Sequence, residues 1–248
     1  MRLENKTAIV TGGASGFGEG IVRKFLNEGA ETIIADINSK KAKKLANQLG
    51  EKTSAFYVDI GDWRSVQKLQ KETSQTWGKI DIVVNNAGAT HLPTPLDKVT
   101  EEDFDRVFST NCKSVYLMAK AFVPNMKARK AGIILNVAST AAISPRPNLS
   151  WYNSSKGWMN TATKSMAIEL APYGIRVNAI NPVAGETPLL ASFMGEDTPA
   201  VREKFLASIP LGRFSTPGDI ANATCFLCSE EASMITGVCM EIDGGRCI

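Results

Sequence analysis

The chain has 248 residues, 44% of them hydrophobic, which suffices for the core of one α/β domain or two small ones. Its formal net charge is only +3 and no concentrated basic arm is present, so nucleic acid is not expected as a partner. No apolar run has the length of a membrane span and the first residues do not resemble a secretion signal, so we expect a cytoplasmic protein without membrane contact.

Apolar runs alternate with helical stretches along most of the chain. Strands are predicted at 7–13, 31–37, 53–60, 80–88, 132–139, 174–182 and 237–243. Helices are predicted at 18–30, 39–50, 63–78, 101–127 and 151–173. Continuous apolar strands that alternate with helices are typical of a parallel sheet covered on both faces. We therefore predict an α/β fold with a doubly wound, seven-stranded parallel sheet flanked by helices.

The stretch 184–210 interrupts this alternation. It lies where the sixth strand should lead into a helix, so we predict that it is a substrate lid. No linker, repeat or low-complexity tract divides the rest of the chain, and we expect 1–248 to form a single domain.

A glycine-rich turn, TGGASGFG at 11–18, follows the first strand. Backbone N–H groups in such a turn can approach a phosphate closely, and the N-terminus of the next helix adds positive partial charge. Gly12, Gly16 and Gly18 stand where the tight turn, the close approach and the helix–strand packing need glycine. This strand–turn–helix context predicts a dinucleotide-binding site.

The second strand ends at Asp36. A carboxylate at this position accepts hydrogen bonds from the adenosine ribose and repels a 2′-phosphate, unless it is only a charge at a helix N-terminus. Ser15 leaves the turn without a basic residue for that phosphate, although Lys40 and Lys41 lie nearby in sequence. We therefore predict NAD (NADH) as the preferred cofactor.

The run SWYNSSKGW at 150–158 places Tyr152 four residues before Lys156. On a helix this spacing puts both side chains on the same side. A nearby positive charge lowers the pKa of a tyrosine, which can then exchange a proton with a carbonyl or alcohol oxygen. Taken alone, such a pair is more often a half-buried tyrosine and a solvated lysine, so the other motifs must decide.

Together these motifs resemble the classical short-chain dehydrogenase/reductase family over essentially the whole chain. TGGASGFG is similar to its glycine motif, NNAG at 85–88 to its motif at strand four, and NP at 181–182 begins its motif after strand six. Its four catalytic residues are matched in order and spacing by Asn111, Ser139, Tyr152 and Lys156. The resemblance implies a Rossmann fold and an NAD-dependent oxidoreductase that interconverts a secondary alcohol and a ketone.

The resemblance also implies a role for each catalytic residue. Tyr152 would be the general acid for ketone reduction and the base for alcohol oxidation, while Lys156 would lower the tyrosine pKa and bind the nicotinamide ribose. Ser139 would hold the substrate oxygen. Asn111 would hold a water that links Lys156 to solvent, unless its side chain simply bonds the backbone.

The cofactor contacts expected from the motifs and the resemblance are spread over the whole chain. They are Gly12, Ser15, Gly16, Phe17, Gly18, Asp36, Ile37, Asp59, Ile60, Asn86, Ala87, Gly88, Tyr152, Lys156, Pro182, Val183 and Thr187. Asp59 would meet the adenine end, and Thr187 would reach the nicotinamide carboxamide. Val183 departs from the family pattern, because glycine usually follows this proline.

The substrate pocket is expected from the segments 140–151 and 184–210. Its candidate lining residues are Ala141, Trp151, Glu186, Leu189, Phe193 and Met194. Most are apolar, which favours a small or medium carbonyl or alcohol compound. Glu186 would attract a cationic or hydroxyl-rich substrate if it points inward, and is otherwise an exposed lid charge. His91 could lie at the pocket rim, but we interpret it as a solvated loop histidine.

Two narrower substrate classes and one non-enzyme function stay open. The chain is also similar to 3-oxoacyl-[acyl-carrier-protein] reductases, and a sugar or polyol dehydrogenase of the glucose type is compatible with its motifs. A cofactor-binding regulator without catalysis is a remote alternative. Family members are commonly tetramers with two-fold symmetry, so the resemblance implies a homotetramer.

No metal site is predicted. The chain has five cysteines but only one histidine, and Cys225 and Cys228 form a single Cys-x-x-Cys without a second ligand pair. Because this pair lies in an amphipathic helical pattern, we expect both thiols to pack inside the fold. The five cysteines are expected to be free thiols in a reducing compartment.

Overall fold

The computed structural model describes residues 1–248 and contains one seven-stranded sheet. Its strands are Thr7–Thr11 (β1), Glu31–Asp36 (β2), Thr53–Tyr57 (β3), Ile82–Asn85 (β4), Gly132–Val137 (β5), Ile175–Pro182 (β6) and Cys239–Ile242 (β7). They lie in the order β3-β2-β1-β4-β5-β6-β7, and every neighbouring pair is parallel. The predicted doubly wound, seven-stranded parallel sheet is confirmed.

Nine α-helices accompany the sheet. They are Gly16–Asn27 (α1), Ser39–Leu49 (α2), Trp63–Trp77 (α3), Glu101–Phe108 (α4), Ser114–Arg129 (α5), Ser150–Leu170 (α6), Leu190–Met194 (α7), Pro199–Ala207 (α8) and Pro217–Cys228 (α9). None of these helices combines the length and the apolar character that crossing a membrane requires.

The apolar strands supply two separate cores because successive side chains point to opposite faces of a sheet. Val10 and Ile34 belong to the larger core, with residues of α1, α2 and α9. Ile9 and Ile33 belong to the other, with residues of α3, α5 and α6. This two-sided burial explains why the strands show continuous apolar runs.

The sulfur atoms of the Cys-x-x-Cys pair lie inside the larger core. Cys225 and Cys228 are fully buried on α9, and burial raises the pKa of both thiols. The prediction that they pack in the interior is confirmed. All five cysteines of the chain are free thiols.

The predicted helix over 101–127 differs from the observed structure at its centre. Five residues, Ser109–Lys113, form a π-helical segment that separates α4 from α5. A π-bulge inserts one extra residue into a helical turn and is common at functional sites. Here it carries Asn111, whose side chain is fully buried and bonds to a loop and to α6.

The stretch 184–210 is more regular than its sequence suggested. It contains α7 and α8, and Leu190 and Met194 pack with Val183, Ile209 and Phe214 in a small apolar cluster. The short helices escaped prediction because their apolar residues cover this local cluster and do not face the sheet. We call this stretch the lid segment.

The sheet places a crevice where its strand order reverses. The chain leaves β1 towards β2 on one side, whereas β4 lies on the other side of β1. Ligands of doubly wound sheets bind at the carboxyl ends of the strands at such a switch point. Asn86, just after β4, connects the end of β4 to the end of β1. Its Nδ2 donates hydrogen bonds to the carbonyl oxygens of Thr11 and Gly12.

Candidate active site

A cavity of about 620 Å³ opens at the carboxyl ends of the strands and extends from the end of β2 to α8 in the lid segment. Fifteen of the seventeen predicted cofactor residues line it: Gly12, Ser15, Phe17, Asp36, Ile37, Asp59, Ile60, Asn86, Ala87, Gly88, Tyr152, Lys156, Pro182, Val183 and Thr187. The structure therefore brings together residues from nearly the whole length of the chain. The remaining two, Gly16 and Gly18, do not reach the cavity wall.

The glycine turn forms one end of the cavity. Gly12 and Gly16 have φ angles of 61° and 56°, a region that favours glycine. A Cβ on Gly18 would lie 2.1 Å from the carbonyl oxygen of Gly12, so Gly18 acts by letting α1 pack closely against the end of β1. The N-terminus of α1 thereby faces the cavity at Ser15 and Phe17. This arrangement fits the pyrophosphate of a dinucleotide.

Asp36, at the end of β2, lines the cavity and is held in place by two hydrogen bonds. Its Oδ2 accepts a hydrogen bond from the backbone N–H of Ala14 at 3.0 Å, and its Oδ1 accepts one from Asn38 at 2.8 Å. A carboxylate has further lone pairs, so both oxygens can still accept from ribose hydroxyls. Lys40 and Lys41 are absent from the cavity wall. The geometry thus fits a ribose with free hydroxyls.

Tyr152 and Lys156 lie on the same side of α6 and are both about 95% buried. The ammonium of Lys156 donates a hydrogen bond to the carbonyl oxygen of Val137 at 2.9 Å, and Nζ lies 5.9 Å from the centre of the Tyr152 ring. Burial lowers the pKa of Lys156 to about 8, because the charged form loses its hydration. The lysine is therefore mostly charged at neutral pH.

In the cofactor-free protein the pKa of Tyr152 is raised, so the lowering expected from Lys156 stays a prediction for the complex with the cofactor. Burial raises the pKa of Tyr152 to about 12, and hydrogen bonding to Ser139 and the charge of Arg146 only partly oppose this shift. Desolvation dominates because phenolate loses more hydration than the neighbouring groups replace. Lys156 is not among the groups that lower the pKa of Tyr152 in this state.

Ser139 lies just after β5 at the cavity wall. Its hydroxyl oxygen accepts a hydrogen bond from the backbone N–H of Ala141 at 3.1 Å, which fixes its side-chain position. The same hydroxyl opposes part of the rise in the pKa of Tyr152, so the two side chains lie close together. Both side chains line the cavity, and their joint contact with one substrate oxygen stays a prediction.

The side chain of Asn111 is satisfied within the protein. Its Nδ2 donates to the carbonyl oxygen of Ala89 and to the hydroxyl of Ser155, both at 2.9 Å, and its Oδ1 accepts from the N–H of Ala89. Both amide hydrogens are therefore used, which favours the backbone-bonding alternative over the predicted water relay. Asn111 still lies near Lys156, because both border Gly88. A Cβ added to Gly88 would be 3.5 Å from Oδ1 of Asn111 and 3.5 Å from Nζ of Lys156.

The substrate end of the cavity contains half of the predicted lining residues. Ala141, Leu189 and Phe193 are in the wall, and the Phe193 ring packs edge-on against Tyr152 at a centroid distance of 5.0 Å. Thus the reacting end of Tyr152 lies in an apolar chamber between α6 and the lid segment.

The other three predicted substrate residues do not line the cavity. Trp151 donates from Nε1 to the carbonyl oxygen of Leu96 and packs on Phe104. Met194 is buried in the lid cluster, and Glu186 is exposed and acts electrostatically on the arginines of the lid and the following loop. These residue types are common in substrate pockets. The position of each residue on its helix or in the folded lid segment directs its side chain away from the cavity.

The interpretation of His91 as a solvated loop residue is wrong. Its side chain is 1% exposed, and Nδ1 lies 2.7 Å from the carbonyl oxygen of Leu92. Nε2 is buried without a hydrogen-bond partner. His91 is absent from the cavity wall, so it holds the loop after β4 and does not touch the chamber.

Sequence reasoning missed the residues that close the far end of the chamber. Leu149, Arg146 and Phe205 all line it, and the Arg146 guanidinium lies 4.0 Å from the centre of the Phe205 ring. Burial, followed by the neighbouring Arg246, lowers the pKa of Arg146 to about 10, so the side chain stays charged at neutral pH. No motif or periodicity marks an arginine in a proline-flanked loop, so the sequence carries no signal for it.

Comparisons with known proteins agree with this geometry. A family model described as enoyl-(acyl carrier protein) reductase matches residues 12–246. The 4-formylbenzenesulfonate dehydrogenase TsaC1/TsaC2 of Comamonas testosteroni is 46% identical over 250 residues, which cover 99% of each chain. Galactitol 2-dehydrogenase of Agrobacterium fabrum is 37% identical and is also matched over 99% of each chain.

One solved structure is similar over the entire chain. It is the crystal structure of a 3-ketoacyl-(acyl-carrier-protein) reductase from Brucella melitensis complexed with NADH. The TM-score is 0.95 and the sequence identity 47%, with 99% of this chain and 100% of the other covered. The fold is thus shared with a protein whose structure was determined in complex with NADH.

Proposed function

The chain belongs to the short-chain dehydrogenase/reductase family, and we propose that it is an NAD(H)-dependent oxidoreductase that interconverts a secondary alcohol and a ketone. The observation that carries this proposal is the convergence of Ser139, Tyr152 and Lys156 on one cavity whose other end is the glycine turn and Asp36. Each of these groups has a task in such a reaction, and all of them contact the same space.

The glycine turn, Asp36 and the segment after β6 are suited to hold the dinucleotide. The turn offers backbone N–H groups to the pyrophosphate, and Asp36 accepts hydrogen bonds from the adenosine ribose. Pro182, Val183 and Thr187 would flank the nicotinamide end. When bound, the nicotinamide supplies or accepts the hydride.

Tyr152 moves the proton. Because its pKa is about 12, the phenol is protonated at neutral pH and is ready to donate to a ketone oxygen. Ser139 holds the same oxygen and stabilises the negative charge that develops there. Lys156 is mostly charged at neutral pH, and its Nζ would bind the nicotinamide ribose. In the cofactor-free protein at neutral pH, Tyr152 therefore already carries the proton that ketone reduction requires.

Asp36 supports a preference for NADH over NADPH. A 2′-phosphate would meet the carboxylate directly, and the cavity wall offers no lysine or arginine beside it. The NADH complex of the similar Brucella protein agrees with this preference.

The names of two similar proteins each support one substrate class. Similarity to a 3-ketoacyl-(acyl-carrier-protein) reductase favours β-ketoacyl thioesters, and similarity to galactitol 2-dehydrogenase favours polyols. The apolar wall of Ala141, Leu189 and Phe193 fits the first class better than the second, because polyol hydroxyls need polar partners.

The deciding experiment measures NADH-dependent reduction of a panel of simple ketones, diketones, ketoesters, a β-ketoacyl thioester and keto sugars. Turnover should be lost in Tyr152→Phe and kept in Tyr173→Phe, whose tyrosine lies outside the cavity. Equal turnover in the wild type and Tyr152→Phe would refute the mechanism. No turnover while NADH binds would favour the regulator without catalysis.

We also propose that residues 1–248 act as one domain in which the lid segment closes the substrate chamber. Leu189, Phe193 and Phe205 of this segment line the cavity opposite the sheet, which supports this role. Proteolytic cleavage within 184–210 should slow when NADH and a substrate analogue are added together. A cleavage rate independent of both would contradict the lid.

A homotetramer is proposed for the assembly. Helices α5 and α6 expose Tyr116, Trp158 and Ile168, the last 79% accessible, which supports their burial between subunits. Light scattering should give four times the chain mass of 26.7 kDa. A mass equal to a single chain would refute this assembly.

Five free thiols support a cytoplasmic location, where thiols stay reduced. Cell fractionation tests it, and recovery outside the cytoplasm would contradict it.

A further inference from the structure

Arg146 is placed at the substrate end of the cavity, away from the glycine turn. It lies in the loop before α6, shares the wall with Tyr152 and Leu149, and its guanidinium stacks on Phe205 of the lid segment at 4.0 Å. This contact holds the guanidinium against the lid segment, because a cation prefers the face of an aromatic ring.

The guanidinium of Arg146 has no acidic partner. Its Nη2 is buried and forms no hydrogen bond, and the groups that act on its pKa are Arg246 and Tyr152, neither of which is a carboxylate. Arg246 adds a second positive charge: its Nη1 donates to Ser144 and its buried Nε also has no partner. Both side chains are half-buried, and a buried N–H group without a partner is unfavourable, which points to a ligand that accepts from it.

Other arginines near the chamber are paired, which makes Arg146 different. Arg106, also in the cavity wall, is bonded to Asp103 and to the carbonyl oxygen of Thr90. Arg202 and Arg213 form bidentate pairs with Asp197 and Asp219.

The space between Arg146 and the catalytic serine and tyrosine is mostly apolar. Ala141, Leu149, Leu189 and Phe193 line it together with Phe205. A ligand that fits must therefore have an apolar body with a negative group at one end. Planar oxyanions match the guanidinium fork, which binds carboxylates through two parallel hydrogen bonds.

We propose that the substrate carries a carboxylate or another compact oxyanion on an apolar body, and that Arg146 binds this group while the carbonyl or alcohol reacts at Tyr152. The inference rests on the proposed function and deepens it by naming the substrate class. Arg146 is then the residue that selects anionic over neutral substrates of the same shape.

The test compares matched pairs that differ only in charge: 4-acetylbenzoate and its methyl ester, and 5-oxohexanoate and its methyl ester. For each, kcat/KM with NADH is measured, and the dissociation constant from the enzyme–NADH complex is measured by calorimetry. At least one carboxylate should be favoured over its ester by about tenfold or more, as expected for a charge-assisted hydrogen bond. Arg146→Gln should lower kcat/KM for the carboxylate at least tenfold more than for its ester, so that the preference is lost, while the affinity for NADH, which binds at the other end of the cavity, is kept.

Two further variants separate binding from other effects. Arg146→Lys keeps the charge but not the fork, and should restore part of the preference. Arg202→Gln removes a charge from the lid segment outside the cavity wall and should leave the preference intact. An equal loss in Arg202→Gln would mean general electrostatic attraction, and an equal loss for ester and carboxylate in Arg146→Gln would mean that Arg146 only positions the lid. Either result overturns the proposal.

Failure of this inference differs from failure of the proposed function. Tyr152-dependent turnover of ester and carboxylate with equal efficiency and equal affinity would overturn the anion site and leave the oxidoreductase intact. Selective, Arg146-dependent binding of a carboxylate without turnover of any ketone would retain the anion site and refute the reaction. Failure of both carboxylates to bind better than their esters overturns the inference.

Discussion

Asn111 donates a hydrogen bond from Nδ2 to the hydroxyl of Ser155 at 2.9 Å and thereby joins the π-helical segment to α6. The same amide holds Ala89 through two further bonds, so it ties the loop after β4 to the helix that carries the catalytic tyrosine. Asn111 is fully buried and its partner Ser155 is 2% exposed, so the amide and that hydroxyl would find little water in place of each other.

Asn111→Ala should therefore lower the free energy of unfolding by about 2–4 kcal/mol, since each buried group left without a partner costs about 1–3 kcal/mol. Urea denaturation measures this. Asn125→Ala, which removes an exposed amide that only bonds Arg129, should change stability by less than about 0.5 kcal/mol. Wild-type stability with abolished turnover in Asn111→Ala would instead support the predicted water relay.

Lys156 should destabilise the fold in a pH-dependent manner. Its pKa is about 8 in the folded protein and about 10.5 in the unfolded chain. Folding thus disfavours the charged form: the penalty is fully present below pH 8 and disappears as the pH rises towards 10.5.

Lys156→Met should raise the free energy of unfolding on the order of 2 kcal/mol at neutral pH, with the lost hydrogen bond to Val137 offsetting part of the gain. Denaturation curves between neutral pH and about pH 10 should show the difference shrinking. The variant should lose turnover while it gains stability. Lys164→Met, at an exposed position of α6, is the control, and a pH-independent gain in Lys156→Met would contradict the assigned pKa.

Tyr152 should remain protonated in the cofactor-free protein well above neutrality. Burial places its pKa at about 12, so subtracting the phenolate absorption of Tyr152→Phe from that of the wild type should leave no signal below about pH 10. The other three tyrosines contribute equally to both proteins and cancel. A difference signal that develops near neutral pH would show that Lys156 dominates over burial after all.

The sheet and the cofactor end were predictable because their signals are local. Each strand is a continuous apolar run, and the glycine turn and Asp36 lie beside the strand ends that position them. A parallel sheet then brings the strand ends to one edge whatever the detailed packing. Helical periodicity alone predicted that Tyr152 and Lys156 share one side of a helix, whereas their catalytic role needed the other motifs.

The substrate end was not predictable in the same way. Arg146 meets Phe205 although 59 residues separate them (205 − 146), and no pattern in one sequence reports such a contact. Trp151 precedes Tyr152 directly, yet one step along a helix turns it towards Phe104. The pKa of Tyr152 depends on how deeply it is buried, which charge spacing alone does not reveal.

Asp36 should determine the choice of dinucleotide. Asp36→Ser removes the charge that faces a 2′-phosphate, so the ratio of kcat/KM for NADH to that for NADPH should fall by about tenfold or more. Asp62→Asn removes a charge from the same edge of the sheet outside the cavity wall and keeps a capping side chain, so it should leave the ratio unchanged. An equal ratio in the wild type and Asp36→Ser would assign Asp36 to loop structure alone.

Gly18 should tolerate no side chain, although it does not line the cavity. A Cβ there would lie 2.1 Å from the Gly12 carbonyl oxygen and 2.6 Å from Nδ2 of Asn86, so α1 would have to move away from the end of β1. Gly18→Ala should therefore destabilise the protein by about 1–3 kcal/mol and weaken NADH binding, because the backbone N–H groups of the turn are displaced.

Gly218→Ala is the matched control for this substitution. Gly218 lies in the first turn of α9, is exposed, and has only the Thr216 hydroxyl within 4 Å of the position of an added Cβ. Alanine should stabilise this helix by up to about 1 kcal/mol and leave NADH binding unchanged. Thermal denaturation and NADH fluorescence titration measure both effects. If Gly18→Ala bound NADH as the wild type does, the turn could shift without losing its ligand, and the close packing of α1 would not be what shapes the site.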